Sequence, residues 1–159
     1  MTKIINKQGL TNDGKTIVPC IYDKITPIIV DGKESDERFV ATDGNAMFFL
    51  KLNLKENTRG TKHISDYHSI GDFENDIAIV SIYCERFGEK YALVNIDFDE
   101  LTKFEYDNIE RLPNKYFRVT KAGYQGVLNP EGKLVVDCRF SAVRYHAYEN
   151  KFILDEVYD

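Results

Sequence analysis

Four copies of a short pattern recur along this chain of 159 residues, and this internal repetition is what most restricts its fold. Each copy consists of an aromatic residue, two mostly polar residues and a β-branched aliphatic residue. The aromatic positions lie 45, 39 and 34 residues apart. Spacings of this size are typical of repeat architectures, in which each unit buries its apolar face against its neighbours. We call the four aromatic residues the anchors: Tyr22, Tyr67, Tyr106 and Phe140.

Short apolar segments flank the anchors and predict strands joined by tight turns. Asp13-Gly14 lies between two such segments, a strong hairpin signal because glycine accepts positive φ. Asn129-Pro130-Glu131-Gly132 suits a type I turn closed by a left-handed glycine. A further apolar segment follows every anchor, and the 13% aromatic content also favours strands.

The pattern therefore predicts an all-β fold with four tandem three-stranded repeat units in a single domain, residues 1–159. The predicted units are approximately 5–45, 46–88, 89–122 and 123–159. We expect them to form a twisted, solenoid-like array, and the alternative is a small closed propeller or barrel.

Residues 12–23, which read Asn-Asp-Gly-Lys-Thr-Ile-Val-Pro-Cys-Ile-Tyr-Asp, resemble the bacterial WG-repeat pattern. Residues 126–133 and the Tyr106-Asp107 pair resemble it as well. The pattern starts with an aromatic residue followed by glycine, whereas this chain has no tryptophan and carries Gln8-Gly9, Tyr91-Ala92 and Gln125-Gly126 at that point. The resemblance implies an all-β repeat array that serves as an interaction scaffold and has no catalytic residues to transfer.

The remaining composition indicates a reduced, intracellular protein. No segment is long and apolar enough to span a membrane, and residues 1–9 lack the apolar core of a signal peptide. The odd number of cysteines argues against a disulfide framework, so we expect a cytoplasmic location. Cys20 and Cys138 each precede an anchor by two residues, which predicts buried, structural thiols.

Residues that could support catalysis or bind a metal are few. The sequence lacks a Gly-x-Ser-x-Gly elbow, a phosphate-binding glycine loop and a His-Glu-x-x-His motif. His63, Asp66 and His68 fall within six residues, but a metal site needs more ligands in a fixed geometry. We therefore expect solvated histidines, no metal, no cofactor and no enzymatic activity.

Charge is the stronger functional indication. The net charge is −5, and residues 97–110 hold six acidic side chains and one basic one. If Asp97 and Asp99 lie in a strand, they share one face. An acidic face repels nucleic acid phosphates and attracts a basic protein. An ordinary solvated surface is the other interpretation of this segment.

Aromatic residues near the C-terminus form a second candidate contact group, because tyrosine and arginine are frequent at interface hot spots. They would alternatively cap the last repeat. The complete set of candidate partner-binding residues is Asp97, Asp99, Glu100, Glu105, Asp107, Glu110, Arg144, Tyr145 and Tyr148.

These observations favour a non-catalytic module that binds a protein partner and neither nucleic acid nor a membrane. The most specific hypothesis is a bacterial immunity or inhibitor protein that binds a basic toxin or enzyme. The alternatives are a carbohydrate or cell-wall ligand-binding module that uses exposed tyrosines, and an enzyme with an unrecognised carboxylate site.

Overall fold

The computed structural model describes residues 7–44, 46–56, 58–60 and 67–156. All regular structure in these ranges is β-strand, which confirms the predicted fold class. The chain divides into two compact units, residues 1–76 and residues 77–159.

The described residues of the first unit form seven strands. They are β1 (Gln8–Asn12), β2 (Lys15–Tyr22), β3 (Lys24–Val30), β4 (Lys33–Asp43), β5 (Ala46–Asn53), β6 (Thr58–Gly60) and β7 (Ser69–Ile70). Strands β1 and β2 form a hairpin, and β3, β4, β5 and β6 form an antiparallel four-stranded sheet in that order. Val18, Ala41 and Leu50 are fully buried in the core between these strands.

Eight strands are formed by residues 77–156, the part of the second unit that the structure describes. They are β8 (Ile77–Cys84), β9 (Gly88–Asn95), β10 (Asn108–Arg111), β11 (Phe117–Lys121), β12 (Tyr124–Leu128), β13 (Leu134–Phe140), β14 (Ala142–His146) and β15 (Lys151–Asp155). Strands β8 and β9 pair, β10 to β13 form a four-stranded antiparallel sheet, and β14 and β15 form a separate hairpin. Leu93, Val119 and Leu128 are fully buried in the core of this unit.

Tight turns occur where the sequence predicts them. Asp13 and Gly14 have φ values of 50° and 76°, so both central residues of the β1–β2 turn are left-handed. Gly132 has a φ of 83° and donates its N–H to the carbonyl of Asn129 at 2.9 Å. Residues 28–37 form the end of the β3–β4 hairpin, which has a register shift between Pro27 and Ile29 and turns at Asp31 and Gly32.

The anchors occupy equivalent, buried positions. Each is at most 8% exposed. Each also pairs with a residue on the first strand of its own repeat, and a new strand begins two residues later. The pairs are Gln8 with Tyr22, Met47 with Tyr67, Tyr91 with Tyr106, and Gln125 with Phe140. An anchor therefore marks the corner at which one sheet ends and the next begins.

The predicted division of a repeat into three strands is incomplete. In the first, second and fourth repeats a fourth strand, β3, β7 or β14, begins two residues after the anchor. Moreover, the sheet β10 to β13 combines the second half of the third repeat with the first half of the fourth. The sequence pattern identifies the repeat, but backbone pairing places the sheet β3 to β6 and the sheet β10 to β13 each across two repeats. None of the sheets among the described residues closes on itself, and the solenoid-like array stays a prediction.

Candidate partner-binding surface

The acidic segment begins with a rigid turn after β9, which we call the acidic turn (residues 95–100). The side-chain oxygen of Asn95 accepts hydrogen bonds from the backbone N–H groups of Asp97 and Asp99, at 3.0 and 2.9 Å. Phe98 has a φ of 67° and a ring that is only 1% exposed, so it fixes the turn to the core. Asp97 and Asp99 are both exposed.

Asp97 and Asp99 therefore lie in a turn and not in the strand that would place them on one face. Asparagine side chains compete with strand pairing by bonding nearby backbone groups, and Asn95 does so here. The two carboxylates still lie on one short segment, but that segment is the turn held by Asn95. Glu100 follows in an isolated bridge with Val94 and is half-buried.

The other three acidic residues of the segment each meet a cation from another strand. Glu105 lies 3.5 Å from the ammonium group of Lys121, Asp107 pairs with Lys90, and Glu110 pairs with Arg118. A count of charges along the sequence therefore overstates the negative field here. The pairs form because antiparallel neighbours bring residues of distant sequence number together. The assignment of these three carboxylates to a partner stays a prediction.

Asp107 also has a structural role that recurs in the first repeat. Its carboxylate accepts the N–H of Ala122 at 2.9 Å, and that of Asp23 accepts the N–H of Gly44 at 2.7 Å. Hydrogen bonding to Lys90, followed by the Ala122 N–H, lowers the pKa of Asp107. The aspartate after an anchor thus holds the turn between the repeat's last strand and the next repeat.

Glu110 likewise belongs to a local network. It accepts a hydrogen bond from the side-chain amide of Asn108 at 3.0 Å, in addition to its pair with Arg118. Arg118 also donates to the carbonyl of Val143 at 3.1 Å. Glu110 therefore positions an arginine that connects the four-stranded sheet to β14.

The C-terminal tyrosine cluster divides into a packed residue and an exposed one. The hydroxyl of Tyr145 donates to the side chain of Asn150 at 2.7 Å, and its ring centroid lies 5.7 Å from that of Phe152. Tyr148, at the turn between β14 and β15, is 99% exposed. Arg144 is exposed and lies 3.4 Å from Asp155. Tyr145 therefore caps the last hairpin, whereas Tyr148 contributes little to it.

An open cavity of about 340 Å³ adjoins the anchor of the third repeat, and sequence reasoning missed it. Burial, with a smaller contribution from Glu105, raises the pKa of Tyr106 to about 12. Burial also raises the pKa of the Cys138 thiol, which keeps it protonated and weakly nucleophilic. The cavity is lined by Glu105, Tyr106, Lys121, Ala122, Tyr124, Leu134 and Cys138.

The prediction that Cys20 is buried is wrong. Cys20 and Cys84 are exposed, and Cys138 is half-buried. The two anchor-linked cysteines differ because Cys138 lies on the cavity wall formed with the preceding repeat. Only Lys7 is described before the strand that pairs with β2, so no described repeat covers Cys20 in this way.

Residues 7–44, 46–56, 58–60 and 67–156 include no group of three or more His, Cys, Asp or Glu residues arranged to hold a metal ion. His63 and Asp66 lie outside the described residues, and His68 lies within them. Over the same ranges, no helix has the length and hydrophobicity required to cross a membrane.

Comparison with known proteins agrees with the repeat interpretation. No curated protein and no solved structure matches the chain. The family model of the WG containing repeat matches residues 11–33. This match covers the β1–β2 turn, β2, the Tyr22 anchor and β3. The resemblance predicted from the sequence is thereby confirmed for residues 11–33, which are similar to the WG containing repeat.

Proposed function

We propose that this protein is a non-catalytic β-repeat module that binds a basic protein, and more specifically that it acts as a bacterial immunity or inhibitor protein. The acidic turn carries the proposal, because it presents Asp97 and Asp99 to solvent on a backbone that Asn95 and Phe98 hold in place. A rigid, exposed pair of carboxylates loses little conformational entropy on binding and steers a cationic partner toward the surface.

The ion pairs elsewhere in the segment refine this proposal. Glu105, Asp107 and Glu110 already meet Lys121, Lys90 and Arg118. Their replacement would release cations as well as remove anions, and it would disturb the fold. We assign the partner-attracting charge to Asp97 and Asp99 because both side chains are exposed on the acidic turn, and these two positions are the ones to test.

Tyr148 is the second contact of the proposed interface. A tyrosine that is 99% exposed on a well-formed hairpin gains buried area only by binding another molecule. Tyrosines of this kind are frequent interface anchors. Arg144, on the same hairpin and also exposed, adds a group able to donate several hydrogen bonds.

The experiment begins with a pull-down from the native host to obtain the partner. Association rates are then measured at low and at high salt for the wild type and for Asp97→Asn/Asp99→Asn. We expect slower association and a weaker salt dependence in the variant, because steering charges act on the on-rate. Glu131→Gln/Asp137→Asn is the matched control, since it removes the same charge from two other exposed positions of the same unit.

Equal salt dependence in the wild type and the Asp97→Asn/Asp99→Asn variant would refute the role of the acidic turn. Tyr148→Ala, compared with Tyr83→Ala on another hairpin, tests the second contact separately. We expect only Tyr148→Ala to accelerate dissociation. An immunity role further requires that the purified protein inhibits its captured partner at equimolar ratio, and binding without inhibition would reduce the proposal to a scaffold.

A further inference from the structure

The β1–β2 hairpin and the β14–β15 hairpin each correspond to one half of the four-stranded sheet β10 to β13. The internal sheet β10 to β13 joins the last two strands of one repeat to the first two of the next. In contrast, β14 and β15 pair only with each other, and so do β1 and β2, among the residues that the structure describes. Among the described residues, no strand pairs with the outer edge of β15 or with the outer edge of β1.

Hydrogen bonds at the corners establish which positions correspond. The residue after an anchor donates its N–H to the carbonyl of Thr120 in the third repeat, at 2.7 Å, and to that of Asp155 in the fourth, at 2.8 Å. Asp155 on β15 therefore corresponds to Thr120 on β11, and Leu154 corresponds to Val119. By the same spacing, Phe152 corresponds to Phe117.

A second set of hydrogen bonds relates β1 to β12. The side chain of Gln8 accepts the N–H of Ile25, and that of Gln125 accepts the N–H of Val143, both at 2.8 Å. Gly9 and Gly126 follow at corresponding positions, each closely approached by the carbonyl of its partner strand. Strand β1 thus has the local geometry of β12, the strand that pairs with β11.

Side chains at these corresponding positions are less buried on β15 and β1 than on β11 and β12. Val119 is fully buried, whereas its counterpart Leu154 is 39% exposed. Leu128 is fully buried, whereas its counterpart Thr11 is exposed. The β1–β2 hairpin and the β14–β15 hairpin therefore each expose a position that is buried in the sheet β10 to β13.

The outer edge of β15 also offers backbone groups for pairing. The carbonyl of Asp155 points toward β14, because it accepts the N–H of Ser141. Backbone groups alternate in direction along a strand, so those of Leu154 and Phe152 point to the outer edge. An exposed edge of this kind is a template for another strand.

We propose that β15 of one copy of this chain pairs antiparallel with β1 of a second copy, with Leu154 opposite Gly9 and Phe152 opposite Thr11. The pairing rebuilds a four-stranded sheet of the β10 to β13 type across two molecules. It joins two different surfaces, so each added copy leaves one edge of each kind available. Assembly is therefore head to tail and depends on protein concentration.

Disulfide trapping tests this register. The ladder continues to Lys151 opposite Asn12, so Asn12→Cys and Lys151→Cys are prepared as separate proteins in a Cys20→Ser, Cys84→Ser, Cys138→Ala background. The two are mixed and oxidised. We expect a cross-linked dimer at about tenfold the yield of the Asn12→Cys and Glu131→Cys mixture, because pairing raises the effective concentration of the thiols. Yields equal to that control would overturn the proposal.

The double variant Asn12→Cys/Lys151→Cys separates assembly from closure within one chain. An internal disulfide in a monomer, without cross-linking between the mixed single variants, would overturn the proposal in favour of closure. Sedimentation of the wild type provides a measurement that does not depend on new cysteines. The average mass of the wild type should rise with protein concentration. Leu154→Pro should abolish this rise, whereas Leu154→Ala should retain it, because only proline removes the outward N–H. A wild type that stays monomeric throughout would also overturn the proposal.

Discussion

The side-chain oxygen of Gln125 accepts a hydrogen bond from the backbone N–H of Val143 at 2.8 Å. Gln125 lies on the first strand of the fourth repeat, and Val143 lies three residues after its anchor. Gln8 and Ile25 repeat this relationship in the first repeat. Where the WG pattern has an aromatic residue, this chain uses an amide to satisfy the backbone donor of the second residue of the following strand.

Removal of this acceptor should destabilise the second unit. Val143 is fully buried, so Gln125→Ala leaves a buried N–H without its partner. We expect a loss of about 1–3 kcal/mol in the free energy of unfolding, measured by urea titration. Gln125→Glu retains an acceptor oxygen and should lose less. Equal stability of Gln125→Ala and the wild type would show that the hydrogen bond is not needed.

Gly126 should tolerate no side chain. A Cβ atom there would lie 2.4 Å from the carbonyl oxygen of Val136 and 2.9 Å from the backbone nitrogen of Cys138. Both obstacles are backbone atoms, so Gly126→Ala should lower the free energy of unfolding by about 1–3 kcal/mol through steric strain. The matched control is Ala92→Gly at the corresponding position of the third repeat, where only about 0.5–1 kcal/mol should be lost. Similar losses in both variants would contradict this explanation.

The buried hydroxyl of Tyr106 should make the protein sensitive to alkali. Its pKa is raised from 10.0 to about 12, so in this range the unfolded chain loses a proton that the folded chain retains. The unfolded state therefore binds fewer protons, and stability falls as the pH rises from 10 toward 12. The loss is on the order of 2 kcal/mol. Tyr106→Phe should remove this part of the pH dependence, and an unchanged slope would contradict the assignment.

Thiol labelling should distinguish the three cysteines under native conditions. Cys20 and Cys84 are exposed and should react rapidly with a thiol reagent. Cys138 is half-buried with a raised pKa, so it should react fully only after unfolding. Mass spectrometry of the labelled, digested protein identifies the modified positions. Rapid native labelling of Cys138, or protection of Cys20, would contradict the structure.

Truncation of an anchor should destabilise the protein far more than truncation of the exposed tyrosine. Phe140 is 8% exposed, so Phe140→Ala should cost about 3–5 kcal/mol in the free energy of unfolding. Tyr148 is 99% exposed, and Tyr148→Ala should change stability by no more than about 0.5 kcal/mol. Denaturation of the two variants alongside the wild type measures the difference. Comparable losses would mean that the anchor does not organise the repeat.

Local features of the fold could be predicted from the sequence because they depend on adjacent residues. The left-handed turns at Asp13-Gly14 and Gly132 follow from the backbone preferences of those residues. The burial of the four anchors follows from aromatic side chains that recur at a repeat spacing. The charged candidate binding residues could also be predicted from the sequence, because charged side chains are unfavourable to bury and tend to lie at the surface.

The partners of those residues were decided only by the tertiary structure. Lys90 and Asp107 are seventeen positions apart, and Glu110 and Arg118 meet because β10 lies beside β11. Charge counting along the chain cannot reveal such neutralisation, because it depends on which strands pair. Cys20 and Cys138 likewise occupy the same position of the sequence pattern, two residues before an anchor, but they differ in exposure. Local chemistry determined the repeat, whereas long-range strand pairing determined which of its side chains face water.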